Sequence, residues 1–275
     1  MANIELVVTD LDKTLLNDKK KVSTKDKVTL ENLSKKNIVR IIATGRSLYH
    51  FGFAIKDDFP IDYIIFSSGL GVIDWKTKEL LIENNLVRNE ISEIYNILTE
   101  FQINFMIQKK IPDNHHFYYI RYLKKIHDFE RRIRLSKNHS EKISSLPKID
   151  TASQFIAIVN RDYPLVDKLF QALQKFQVIR ATSPLDHKSI WIEILPKNVS
   201  KGHTLIDFAK MKSLNIDNSI GIGNDYNDID FLDVTKFSYM VNNAPEDLKK
   251  KYLTSKSNND NGFSHAIHKH IQMEE

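Results

Sequence analysis

Cysteine is absent from this 275-residue chain. That excludes disulfides, thiolate-ligated metal sites and a cysteine nucleophile. No stretch approaches the ~20 consecutive apolar residues that a membrane helix needs. The N-terminal run MANIELVVTDLDKTLL has no basic leader and its apolar segment stops at Asp10, so neither a signal peptide nor a spanning helix is expected. Internal repeats and low-complexity tracts are missing. Neither sign of charge dominates: the net charge is +5 and the pI about 9.0. The densest basic runs, at 19–21, 124–132 and 249–251, have acidic or apolar neighbours. Nucleic-acid binding needs a clustered patch or a recognisable module, and neither occurs. The expectation is a soluble, cytoplasmic protein that binds neither nucleic acid nor membrane. Its mildly positive field suits a small anionic substrate.

What is present is ordinary globular material. Apolar residues make up 41% and charged residues 27%, enough for a sizeable core. The length allows one large domain or two of roughly 100–200 residues. IELVV (4–8), IVRIIAT (38–44) and DYIIFSS (62–68) read as strands buried on both faces. Thr24 is placed to cap a helix running to about Lys36. This alternation predicts a doubly wound, Rossmann-like parallel sheet. VIDWKTKELLIENN (72–85) reads as a hairpin. Strands at 103–108, 116–122, 153–160, 177–183 and 189–195 then mix with helices at 90–101, 124–135 and 164–176. They predict a smaller α/β domain with an antiparallel sheet. After Lys201 the first pattern returns: a helix at 203–214, strands SIGIG and FSYMV, and helices opening at NDIDFL, at PEDLKKKY with Pro245 in its first turn, and at GFSHAIHKHI. Residues 1–84 with 196–275 are therefore expected to form one α/β domain, with 85–195 inserted into it.

Ligands of open parallel sheets bind at the carboxyl ends of the strands. Four polar clusters fall there: Asp10 and Asp12; Thr44, Gly45 and Arg46; Ser67, Ser68 and Gly69; and the stretch GNDYNDID, with Asn224, Asp225, Asn227, Asp228 and Asp230. In an extended segment Asp10 and Asp12 share a face. A hard cation such as Mg²⁺ would neutralise them, one carboxylate serving as nucleophile and the other in proton transfer. Helix capping by either Asp is the plainer reading, and Thr-Gly-Arg alone reads as a turn. Lys201 sits near a helix start, where a cation is misplaced unless an anion lies beside it. The glycines at 221 and 223 do not continue into a dinucleotide fingerprint, because Tyr226 takes the third glycine position.

Together and in this order, these residues resemble the haloacid dehalogenase-like hydrolases. DLDKT (10–14), ATGR (43–46), Lys201 and GNDYND (223–228) match the four motifs of that superfamily. The likeness is closest to Cof-type members with a type IIB cap, whose tail MVNNAPEDLK (240–249) also resembles. The resemblance implies a Mg²⁺-dependent phosphatase acting on small phosphorylated metabolites, sugar phosphates above all. Asp10 is then the nucleophile that forms an aspartyl-phosphate, and Asp12 the acid and base. Thr44 and Lys201 hold the phosphoryl group, with Leu11, Gly45, Arg46 and Asn227 on the substrate side. Asp10, Asp12, Asn224, Asp225 and Asp228 are the metal candidates, and the inserted domain sets specificity. A weakened member that only binds a phospho-ligand, or a phosphomutase-like transferase, are the alternatives. Three departures stand out: Lys13 replaces a glycine, Ser68 an asparagine, and Asn224 an aspartate. Whether Asn224 or Asp225 meets the metal stays open, as does the role of His115, His116 and Arg121. Asp230 reads as a surface residue.

Overall fold

The computed structural model describes residues 3–122, 126–182 and 189–272. Lys124, Lys125 and Ser183, which fall in the predicted basic run, helix and strand, lie outside them. The N-terminal segment contains β1 (Leu6–Thr9), α1 (Thr24–Lys35), β2 (Val39–Ala43), α2 (Leu48–Phe51), β3 (Tyr63–Phe66), β4 (Gly71–Asp74) and β5 (Leu80–Glu83). The middle contains β6 (Leu86–Val87), α3 (Arg88–Glu100), β7 (Asn104–Gln108), β8 (Phe117–Ile120), α4 (His127–Leu135), β9 (Ser140–Lys142), β10 (Thr151–Ala152), β11 (Phe155–Asn160), α5 (Val166–Ala172), β12 (Gln177–Thr182) and β13 (Ser189–Leu195). The last segment contains α6 (Lys201–Met211), β14 (Ser219–Gly223), α7 (Ile229–Leu232), β15 (Phe237–Met240), α8 (Glu246–Lys251), β16 (Leu253–Thr254) and α9 (Gly262–His268). Internal packing divides the chain into two compact units, Met1–Glu83 with Ser200–Glu275, and Asn84–Val199.

The first unit is built on an eight-stranded sheet of order β16-β15-β14-β1-β2-β3-β4-β5. Pairing is parallel from β16 to β3 and antiparallel for the β3–β4–β5 hairpin. Leu6, Val8, Ile41 and Ile65 pack on one face with Leu205 and Phe208 of α6 and with Phe231 and Leu232 of α7. On α1 and α9, Asp26 accepts from the Ser264 backbone N–H (2.9 Å) and hydroxyl (2.6 Å). Continuous β-branched runs form these strands because helices cover both faces and leave no wet side. The strand order turns back at β1 and β14, so their carboxyl ends open a crevice.

The second unit carries a six-stranded sheet of order β12-β13-β11-β7-β8-β9. Phe105, Phe155 and Ile192 pack with Ile94 of α3 and Leu169 of α5. Met106, Ile158 and Trp191 pack with Phe129 of α4 on the other face. Local details depart from the sequence reading. Ser23, not Thr24, caps α1, its hydroxyl accepting from the Asp26 N–H. Pro245 is the cap residue of α8 and lies before its first turn. The sheet is not wholly antiparallel: β9 arises in a stretch read as polar loop and pairs parallel with β8.

Candidate active site

Register explains how distant motifs meet. Thr9 of β1 pairs with Ile42 of β2 and with Ile222 of β14. Asp10, Thr44 and Asn224 thus follow neighbouring strands at one sheet edge. Asp10 is fixed through its N–H, which donates to the Ile222 carbonyl (2.9 Å).

Lys201 opens α6 and is only 2% exposed. Its Nζ donates to Asp10 Oδ1 and to Asp228 Oδ1, both at 2.7 Å. These anions resolve the misplacement of a cation at a helix start. The triad nonetheless holds two carboxylates and one ammonium, a net buried charge of −1 if all are ionised. Such a charge is costly in a low dielectric. Burial and the neighbouring Asp228 accordingly push the Asp10 carboxyl up to about 7, against the pull of Lys201. Burial works against the Lys201 charge, but Asp10 and Asp228 outweigh it and hold the ammonium above the ordinary lysine range. Asp228 also organises the loop after β14: its Oδ2 accepts from the backbone N–H groups of Asn224 (2.8 Å) and Asp225 (3.1 Å).

Asp12 is exposed and engaged in a two-point ion pair. Arg46 Nε donates to Asp12 Oδ2 (2.7 Å) and Nη2 to Oδ1 (2.6 Å), while Nη1 donates to the His50 carbonyl (3.1 Å). The Asp12 hydrogen bonds hold the Arg46 guanidinium above its usual range, against burial. Thr44 is buried; its Oγ1 accepts from the Arg46 N–H (3.1 Å). Ser68 donates its N–H to the Thr44 carbonyl (3.1 Å), and a Cβ on Gly45 would sit 3.4 Å from Ser68 Oγ. Ser67, Ser68 and Gly69 all have positive φ (50°, 58° and 102°). Gly69 is required here, since a Cβ would come within 2.3 Å of the Ser200 carbonyl oxygen. Thr204 of α6 clamps the loop by donating to the Gly69 carbonyl (2.7 Å).

The donor set fits Mg²⁺. The side-chain amide of Asn224 presents one terminal atom to the Asp12 carbonyl oxygen (3.1 Å), Asp10 Oδ2 (3.2 Å) and Thr14 Oγ1 (3.0 Å). With the NH₂ turned inward, these oxygens are satisfied by hydrogen bonds from the protein alone. With the carbonyl turned inward, its oxygen would stand about 3 Å from the Asp12 carbonyl oxygen and from Asp10 Oδ2, the spacing of adjacent ligands around an ion with 2.0–2.1 Å bonds. In the metal-free site the Asn224 NH₂ therefore faces these oxygens. Asp225 is turned away: it is exposed and its Oδ1 accepts from the Tyr226 N–H (2.7 Å). Asn227 is exposed on the following turn.

Two participants were missed from sequence. Thr14 falls in the first motif with no role evident from sequence, yet its hydroxyl meets the Asn224 amide. Asp230 is no free surface residue: its Oδ2 accepts from the Gly202 N–H (2.7 Å), anchoring the turn that carries Lys201. A Cβ on Gly202 would lie 2.3 Å from the Asp230 carbonyl oxygen. The glycine after the lysine was the available signal. Lys13 is exposed with φ 59°, which explains why glycine is usual there. In the second unit, Arg121 is committed to Glu130, donating from Nη2 at 2.7 Å. The His115 and His116 rings lie close together at a tilt, and both meet the His139 ring edge-on.

The family model for haloacid dehalogenase-like hydrolases matches residues 7–267, and the chain belongs to that family. A Streptococcus pyogenes serotype M6 protein, provisionally named a phosphatase, is 26% identical over 98% of this chain and 99% of its own. The 5-amino-6-(5-phospho-D-ribitylamino)uracil phosphatase YwtE of Bacillus subtilis is 26% identical over 96% of this chain and 97% of its own. Among solved structures, the subclass IIB sugar phosphatase BT4131 superposes with a TM-score of 0.75 at 13% identity, covering 96% of this chain and 98% of that one. The fold is thus that of a Rossmann-like hydrolase core with an inserted cap. Among the described residues, no helix is long and apolar enough to cross a membrane.

Proposed function

We propose that the chain is a Mg²⁺-dependent phosphatase of small phosphomonoesters, sugar phosphates foremost, working through an aspartyl-phosphate on Asp10. The observation that carries this reading is the buried Lys201 held between Asp10 and Asp228, beside the oxygens of Asp10, Asp12 and Asn224. The names of the two curated relatives, both phosphatases, support it. The phosphoribityl compound in one name and the sugar phosphatase among the fold neighbours favour polyol and sugar esters.

In this reading an Asp10 carboxylate oxygen attacks phosphorus as the bond to the leaving oxygen breaks. Asp12 gives its proton to the departing alkoxide, so an alcohol leaves. Asp12 then takes a proton from water, whose oxygen attacks phosphorus. The bond from phosphorus to Asp10 breaks, releasing inorganic phosphate and restoring the carboxylate. Lys201 and the Thr44 hydroxyl offset charge on the transferring oxygens, the electrostatic task that dominates phosphoryl transfer. Asp10, the Asp12 carbonyl and Asn224 would hold the metal, with Asp228 ordering the loop behind them. When bound, the ion supplies positive charge to the phosphoryl oxygens and to the excess carboxylate. Asp12 must leave the Arg46 fork to move a proton, and the anionic ester is the natural competitor for that guanidinium. The inserted unit chooses among leaving groups.

A panel of phosphomonoesters, including an aryl phosphate and several sugar phosphates, tests the proposal. The expected result is phosphate release that needs Mg²⁺ and stops in EDTA. No release across the panel with Mg²⁺ would overturn it.

A further inference from the structure

The second unit carries a cluster that the phosphatase reading does not use. His115 and His116 immediately precede β8, and His139 ends the short turn that leads into β9. Phe117 pairs with Ser140 in parallel register, so His116 and His139 are the residues one step before that pair. Their backbones are fixed locally. His116 N–H donates to the Asp113 carbonyl (2.9 Å), Lys109 N–H to the His116 carbonyl (2.9 Å), and His139 N–H to the Ser136 carbonyl (2.8 Å). The rings stand 4.2, 4.7 and 5.1 Å apart between centroids. One ligating nitrogen from each lies within 4.8 Å of the others.

We infer that His115, His116 and His139 form a first-row transition-metal site, best suited to Zn²⁺. Three imidazoles on short turns are a recurrent open zinc set, with water in the fourth position. Zn–N bonds of about 2.0–2.1 Å place tetrahedral ligands roughly 3.4 Å apart, a contraction that small ring rotations supply. All three side chains are half-buried, close enough to the surface for an ion to enter. An imidazole set favours Zn²⁺, Co²⁺, Ni²⁺ or Cu²⁺ over Mg²⁺, which separates this site from the carboxylate cluster of the first unit. Because β9 is a three-residue edge strand, the ion would clip the sheet margin where hydrogen bonds are fewest.

Equilibrium dialysis of EDTA-stripped full-length protein against Zn²⁺, with Mg²⁺ in excess to occupy the carboxylate cluster, tests this. The expected result is one Zn²⁺ per chain, with affinity reduced at least tenfold by His139→Ala and by His116→Gln. Co²⁺ should give the intense visible absorption of a tetrahedral site, lost in both variants. Asp10→Asn should leave both signals unchanged. Equal Zn²⁺ affinity in wild type and the histidine variants would overturn the site. So would Zn²⁺ lost in Asp10→Asn but kept in the histidine variants. Circular dichroism confirms that the variants used are folded; should His139→Ala fail to fold, His139→Gln replaces it, with the same outcomes read.

Discussion

Replacing Asp10 with asparagine separates the catalytic role of this carboxylate from its cost to the fold. In the metal-free protein, burial and Asp228 raise the Asp10 carboxyl from 3.8 to about 7. A raised pKa means that the folded state binds the proton more tightly than the unfolded state does. Its stabilising contribution is full below about pH 4 and is lost as pH rises through about 7. The shift, about 7 minus 3.8, is roughly three units, or about 4 kcal/mol between those limits. The Asp10→Asn variant lacks this slope while keeping an oxygen for Lys201. The attraction of Lys201 for the charged carboxylate is already counted within that shift. The net expectation at pH 8 in EDTA is a gain of about 4 kcal/mol, or roughly 8–16 °C in Tm. At pH 5 the gain should shrink or reverse. Thermal unfolding of both proteins at the two pH values, in EDTA, measures this. With Mg²⁺ the wild type should regain stability and the variant should not. A variant less stable than wild type at pH 8 without metal would refute the reasoning that the triad carries excess buried negative charge.

Other perturbations test neighbouring parts of the account. Asn224→Asp replaces an amide that faces Asp10 Oδ2 at 3.2 Å with a second carboxylate. We expect tighter Mg²⁺ binding by titration calorimetry, together with a lower Tm in EDTA. Gly202→Ala places a methyl against the Asp230 backbone and should lower stability by about 1–3 kcal/mol in denaturant unfolding. Because that methyl displaces the turn carrying Lys201, turnover should fall further than Mg²⁺ affinity. Lys13→Gly relieves a left-handed backbone at an exposed position; denaturant unfolding should show a change within about 1 kcal/mol towards greater stability, with activity retained.

Much of this architecture is legible along the chain. Buried parallel strands announce themselves as unbroken apolar runs, as in Leu6–Thr9 and Val39–Ala43. Strand β9 escapes such a reading because Ser140–Lys142 is a short polar edge strand, paired with β8 only across the intervening α4. Distance along the chain hides Asp230, whose role appears only when α6 and α7 meet at Gly202. Lys201 shows the opposite case: its electrostatic misplacement at a helix start pointed to a nearby anion, and two carboxylates lie there. The choice between Asn224 and Asp225 turns on where the backbone rotates after β14. Alternation along a strand does not encode that rotation; hydrogen bonds from both N–H groups to Asp228 set it.

The central claim is that Asp10 itself carries the phosphoryl group during turnover. Acid quenching of the enzyme during hydrolysis of an active phosphomonoester, followed by mass spectrometry of its peptides, addresses this directly. The expected result is a phosphoryl adduct on the peptide containing Asp10, labile to hydroxylamine and absent from Asp10→Asn. A phosphoryl adduct on a different residue during turnover, or full turnover by Asp10→Asn, would contradict it.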